Sequence, residues 1–198
     1  MQIDVRDNID QVLRSMASYR SDVLQKAISR ALNRTSEMAR TETSRTMRSE
    51  GYNFTASEIK QAIALSKAST ARLVTTMRIR RRVKSLMAFN PRASKAGVTV
   101  KVHGQAKLIK GAFIAQRQNG VQGVYVEDKA AGKVVLRFSK QYKRGSRGGW
   151  HDYPARKLYG PSVGGVYANK RILALMRTFI AATFSDRLAH EISFLARR

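Results

Sequence analysis

Gly97-Val98-Thr99-Val100-Lys101-Val102 places a valine at every second position, with Thr99 and Lys101 between them. That is the two-residue period of a half-buried strand, and β-branched side chains suit a pleated surface. Arg72-Leu73-Val74-Thr75-Thr76-Met77-Arg78-Ile79 has the same bias with partial alternation and reads as another strand. Further strand candidates cover 108–116, 123–127 and 133–138. His103-Gly104-Gln105 offers a reversal after the valine strand, and Asn119-Gly120 is a turn pair suited to antiparallel neighbours. The middle of the chain is therefore expected to form a small, mostly antiparallel sheet.

On either side of it the apolar period changes to 3.6. Val5, Ile9, Val12, Leu13 and Met16 fall on one side of a short helix over 5–18, and the polar interval 18–22 supplies a cap for a longer one over 22–49. In the longer helix Val23, Leu24, Ala27, Ile28, Ala31, Leu32, Met38 and Ala39 keep the stripe until Gly51 ends it. Its outer face carries Arg30, Arg34, Arg40, Arg45 and Arg48 interleaved with Glu37 and Glu42, the pattern of a solvated face with intrahelical pairs. Thr55-x-x-Glu58 resembles a capping box, opening a short helix through residue 64. Beyond Pro161 a last helix is expected over 168–196, with Ile172, Met176, Phe179, Ile180, Thr183, Phe184, Leu188, Ile192 and Leu195 on its apolar side. Helices, then sheet, then helix, with no regular βαβ alternation, indicate an α+β fold. One domain over 1–198 is expected: helical through 64, a sheet over 70–138, a basic Gly-rich loop over 139–150 and a C-terminal helix over 166–198.

Charge is distributed unevenly over this framework. The 198 residues hold 38 Lys and Arg against 13 Asp and Glu, a formal +25, of which the first 58 residues supply only +1. Residues 59–126 contain 14 Lys and Arg and not one carboxylate. Such a field opposes compaction and calls for anionic partners, either nucleic acid or acidic protein surfaces. Two clusters stand out: Arg78, Arg80, Arg81, Arg82 and Lys84 at a strand end, and Lys140, Lys143, Arg144 and Arg147 in the Gly-rich loop. Both suit contact with DNA phosphates or with an acidic partner, sequence-independent and sensitive to salt. No base-reading motif accompanies them.

Groups able to do chemistry are scarce. There are three histidines, at 103, 151 and 190, and five carboxylates after residue 58. His151-Asp152 is the one adjacent His/carboxylate pair, but neighbours on a strand face opposite ways, and a solvated polar turn before Pro154 is expected there. Glu127-Asp128-Lys129 has a nuclease-like E-x-K spacing but no upstream strand carboxylate, since the nearest is Glu58. Gly132-Lys133 lacks the flanking residues of a phosphate-binding loop. Without cysteine there are no disulfides or thiolate metal sites, and no zinc or calcium spacing appears. No catalytic residue, metal or cofactor is expected. The N-terminus lacks a secretory pattern, and the apolar run at 172–176 falls far short of the ~20 residues of a membrane span, so no membrane partner is expected.

Four blocks then occur in order: Leu86-Met87-Ala88-Phe89-Asn90-Pro91-Arg92, Gly97-Val98-Thr99-Val100, Ile109-Lys110-Gly111-Ala112-Phe113-Ile114-Ala115, and Leu158-Tyr159-Gly160-Pro161-Ser162-Val163. In identity and spacing they resemble the bacteriophage minor tail protein Z family, with Gly123-Val124-Tyr125-Val126 completing its central sheet signature. The chain departs from that pattern at Gly164-Gly165 and before Ile109. Phe89, Arg92, Gly111, Ala112, Phe113, Ile114, Leu158, Tyr159, Gly160, Pro161 and Ser162 read as scaffold rather than as reactive groups.

The resemblance implies a virion structural protein, made in the host cytoplasm, that completes the tail at its head-proximal end. It implies a homo-oligomer, a hexameric ring, docked to tail terminator, tail tube or head–tail connector proteins and near the path of genomic double-stranded DNA. It implies no catalysis. Duplex DNA threading a domain roughly 40 Å across offers on the order of 25 phosphates. Six copies at +25 each far exceed that, so much of the basic surface would face solvent or acidic neighbours. The alternative reading is a free, sequence-independent DNA-binding protein.

Overall fold

The computed structural model describes residues 21–117, 120–128, 135–139 and 150–196; of 135–139, 150–154 and 196 it describes the backbone. The helix expected over 5–18 and the loop cations Lys140, Lys143, Arg144 and Arg147 lie outside the described residues. The chain divides into two compact units, one containing Phe54–Arg81, the helix before it and everything from Val163 on, the other Glu50–Asn53 with Arg82–Ser162. The architecture is α+β: helices at both ends of the sequence and three small antiparallel sheets between them.

The first unit is built on two long helices, α1 (Ser21–Ser49) and α4 (Lys170–Ala196). On α4, Ile172, Met176, Ile180, Thr183, Phe184, Leu188 and Ile192 are buried, spaced three and four apart but for the adjacent Thr183 and Phe184. On α1 the buried face begins with Ala27, Ile28, Ala31 and Leu32 and continues through Thr35, Ser36, Ala39, Thr43, Ser44 and Met47. Small residues let a partner helix approach closely, and the hydroxyls of Ser29, Ser36 and Thr43 are satisfied within α1 itself, while that of Thr35 has no partner among the described residues. Thr43 Oγ1 donates to the Ala39 carbonyl at 2.8 Å and Ser36 Oγ to Asn33 at 2.8 Å, so burying them leaves no lost hydrogen bond. The helices run antiparallel. Ala27, Ile28, Ala31 and Leu32 cluster with Phe184, Leu188 and Ile192, and Arg30 Nε meets Glu191 at 2.9 Å, while Thr46 near the other end reaches Met176. Each large side chain buried here contributes roughly 1.5–3 kcal/mol.

The Thr55–Glu58 capping box is present in full: the Glu58 amide donates to Thr55 Oγ1 and the Thr55 amide to the Glu58 carboxylate, opening α2 (Ala56–Ala62). The helix stops two residues short of the expected 64 because Ile63 leaves it for β1 (Ile63–Ser66), which pairs with β2 (Thr76–Ile79). Ile63 and Met77 turn inward from this hairpin. Asn33 holds it to α1: its side chain donates to the Ala68 carbonyl at 2.9 Å and accepts from the Ala68 amide at 2.7 Å. A short α3 (Val163–Tyr167) precedes α4.

The second unit holds two sheets. β3 (Arg92–Ser94), β4 (Gly97–His103) and β5 (Gln105–Lys110) form one in that order. β6 (Ala112–Gln116), β7 (Gln122–Glu127), β8 (Val135–Ser139) and β9 (Trp150–Lys157) form the other, in the order β6-β7-β9-β8. The single strand expected over 108–116 is two, because Gly111 adopts φ +69° and turns the chain out of one sheet into the other. The polar turn expected before Pro154 is instead strand: His151 pairs with Phe138 and Asp152 with Arg137 in β9. A strand with Trp150, Tyr153 and Pro154 at alternating and irregular places carries too weak a period to be seen in the sequence. β4 covers the expected valine strand, with Val98 and Val100 buried and Thr99 and Lys101 on the other face.

Two outcomes follow from local geometry. A Cβ added at Gly97 would lie 2.1 Å from the Ile109 carbonyl oxygen with φ at +144°, whereas at Gly111 it meets nothing within 4 Å. Gly97→Ala should therefore cost about 3 kcal/mol in chemical denaturation and Gly111→Ala about 1–2, backbone strain alone. Tyr167 is 1% exposed, its hydroxyl has no hydrogen-bond partner among the described residues, and burial pushes its pKa up to about 12 against the pull of Arg177. The unfolded phenol ionises near 10. Its neutral form is thus fully compatible with folding below pH 10, and stability falls as pH rises from 10 to about 12. Tyr167→Phe should match or exceed the parent's stability at neutral pH, and its advantage should widen across that alkaline window in denaturation curves.

Candidate functional site

The basic run 78–84 does not belong to one body. Arg78, Arg80 and Arg81 fall in the helical unit, and Arg82 and Lys84 in the sheet unit. Arg78 is on β2 opposite Ala64. Arg80 follows the strand; its amide donates to the Ala62 carbonyl at 2.9 Å and its carbonyl accepts from Gly164 at 3.2 Å. The backbone here is thus tied down while the side chains of Arg78, Arg80, Arg81 and Arg82 are exposed, none in an ion pair with a described carboxylate. Lys84 is different: its ammonium lies 5.1 Å from the centre of the Phe89 ring, in cation–π range. The arginines of α1 behave as a solvated face, with Arg34–Glu37 at 3.7 Å and Arg45–Glu42 at 3.5 Å, pairs worth roughly 0.3–0.5 kcal/mol.

The four sequence blocks come together in the sheet unit, apart from Val163, which falls in the helical one. Leu86–Phe89 is one turn of 3₁₀ helix, capped by Ser85 and ended by Asn90 in the left-handed conformation. It packs against β4 and β7, with the Phe89 ring 0% exposed. The Leu158–Ser162 block runs alongside: Ser85 bridges Tyr159, the Gly160 amide donates to the Lys84 carbonyl at 2.8 Å, and the Leu158 amide to Val124 at 2.8 Å. Gly160 rests on the Phe89 ring, where an added Cβ would lie 2.5 Å from Cε2. β3 carries Arg92, exposed and opposite Thr99. Ala112, Phe113 and Ile114 open β6 opposite Val126, Tyr125 and Val124, and the Phe113 and Tyr125 rings stack 6.0 Å apart. Ser162 is buried at the end of the unit. Every block thus supplies packing, a turn or a ladder bond.

Beside this scaffold lies a groove of about 630 Å³. Leu86 and Val100 form its floor, Tyr159 and Pro161 one side and β5 the other. Tyr159 is 54% exposed and Leu108 39% exposed, large apolar surface for a unit so rich in cations. Lys107 and Lys110 flank the strand side, and Lys157 stands 5.7 Å from the centre of the Tyr159 ring. No carboxylate lines it. Tyr159, Ile109 and Lys110 fall in the sequence blocks, but β5 is not expected as a separate edge strand, because a strand drawn across Gly111 hides where one sheet ends; the glycine between two apolar stretches was the available signal.

Glu127 is exposed at the end of β7, and Asp128 pairs with Arg156 at 3.3 Å. Among the described residues no three His, Asp or Glu side chains group closely enough to hold a metal ion, and no helix is long and apolar enough to cross a membrane. No protein-family model, curated protein or solved structure matches this chain.

Because the side chains of Arg78, Arg80 and Arg82 are exposed and form no ion pair among the described residues, the triple alanine variant should keep the parent's folding stability to within about 0.5 kcal/mol per site, measured by thermal or urea unfolding. A larger loss would make these arginines part of the fold rather than of a contact surface.

Proposed function

We propose that this protein is a non-enzymatic structural subunit of a tailed-bacteriophage virion, a minor tail or tail-completion component at the head-proximal end, of the kind its sequence blocks resemble. Six copies form a ring in the neck. The ring docks to the tail terminator, tail tube or head–tail connector proteins, close to the path of the genomic duplex.

The observation that carries this reading is the convergence of the four blocks, all but Val163, in one unit, each with a scaffolding role: a glycine against a buried ring, a turn between sheets, a strand pair and a capped 3₁₀ turn. Residues that recur for architecture suit a protein that assembles rather than one that reacts. Exposed, unpaired arginines on both units supply surface for acidic neighbours, and bare subunits at +25 repel one another, so ring formation is favoured on a preassembled tail rather than in free solution. The same arginines favour the second reading, a sequence-independent DNA binder.

Electron cryomicroscopy of the head–tail junction of the particle that encodes this chain should find a ring of its copies there. Its absence from the particle, together with duplex DNA binding by the isolated chain whose salt slope drops by about one for each of Arg78, Arg80 and Arg82 removed, would replace this reading with the second.

A further inference from the structure

We infer that β5 and the groove beside it form a docking site for an extended acidic segment of another protein, which adds to the sheet as a further strand. The inference does not depend on the virion reading; it concerns a surface outside the basic run, lined in part by block residues that the sequence reads only as scaffold.

Three observations converge. First, among the described residues β5 is an outermost strand, paired with β4 alone, and five of its six residues are exposed. An outermost strand presents unused amide and carbonyl groups along its free side, a template for one more strand. Second, this edge borders a concave, largely apolar groove rather than flat solvent, with Leu108 and Tyr159 both well exposed at its rims. Side chains alternating from an added strand would have a pocket to enter on one face, and the Tyr159 phenol offers a polar handle at its mouth. Third, the charge around it has one sign. Lys107 and Lys110 lie on the strand, Lys101 is exposed on β4 next to it, and Lys157 stands over the Tyr159 ring, while no carboxylate lines the groove.

Lysines on an edge strand also guard it against pairing with copies of the same chain. That guard works here: a second β5 would bring Lys107 and Lys110 against their equivalents, on a molecule of formal +25. The same lysines attract a strand bearing Asp or Glu. Edge, groove and charge together therefore select an acidic, apolar-alternating segment of a different protein. The chain's own most acidic stretch, Asp4-Val5-Arg6-Asp7-Asn8-Ile9-Asp10, has three carboxylates and one arginine and is the competing occupant.

The test is an amide NMR titration of the full chain with a ten-residue peptide alternating valine and glutamate. Saturable shifts should concentrate on residues 105–110 and Tyr159. Lys107→Glu with Lys110→Glu should weaken binding about tenfold, and so should N-methylation of the peptide at alternate amides, since two lost ladder bonds amount to about that factor. The methylated peptide leaves the protein unaltered, so a poorly folded variant cannot obscure the result. The inference is overturned if the methylated peptide binds as well as the parent, if a valine–lysine peptide does, or if no shifts appear on β5. It is also overturned if a peptide of residues 1–13 binds more tightly than the valine–glutamate peptide, making the chain its own ligand, or if duplex DNA shifts the same amides more strongly, making the groove a phosphate site.

Discussion

The sheet unit depends on one close approach, the backbone of Gly160 against the face of the Phe89 ring. Phe89 is entirely buried, so its ring has no room to retreat, and only a residue without a side chain can bring the 158–162 segment to it. Once there, the segment makes further bonds within the unit: Gly160 to Lys84, Tyr159 to Ser85, Leu158 to Val124. The 3₁₀ turn that carries Phe89 in turn lies on β4 and β7, one strand from each sheet. The same contact sets Tyr159 and Pro161 along the groove, since they flank Gly160 on either side. Architecture and candidate binding surface thus share a single packing event.

Charge imposes the complementary constraint. A chain with +25 cannot distribute its cations through a core, and the buried positions among the described residues are apolar or hydroxyl-bearing throughout. Of the polar side chains buried in α1, Ser29, Ser36 and Thr43 bond to its own carbonyls, Thr35 is left without a partner among the described residues, and the half-buried Asn33 fixes a neighbouring turn. Cations are left on the surface, in places where little acid answers them. Such a protein gains most from neighbours that carry the opposite sign, which is what the proposed assembly and docking would supply.

Much of this was legible from the residues. Long-helix limits were readable because apolar spacing over seven or eight turns is a strong signal and Gly51 and Pro161 mark the edges. The Thr55 box was readable because two specific side chains three apart serve one local geometry. Short strands were not: β1 hides behind a capping signal that continues the helical reading, β3 is three residues long, and β9 has no clean alternation. The split at Gly111 was missed because the residues on both sides favour strand, and only the positive φ separates them. Of the candidate site, the motif residues could be picked out from the sequence, while the groove is lined by β5 and 158–161, residues some fifty positions apart that no periodicity connects.

The central claim is that the Gly160–Phe89 contact couples both sheets into one unit. Native-state hydrogen exchange on the Gly160→Ala variant tests it most directly. The account predicts that protection falls together, by a similar factor, at the amides of β4, β7, Leu158 and Gly160, because one contact holds them all. Loss confined to residues 84–89 and 158–162, with β4 and β7 as protected as in the parent, would contradict it.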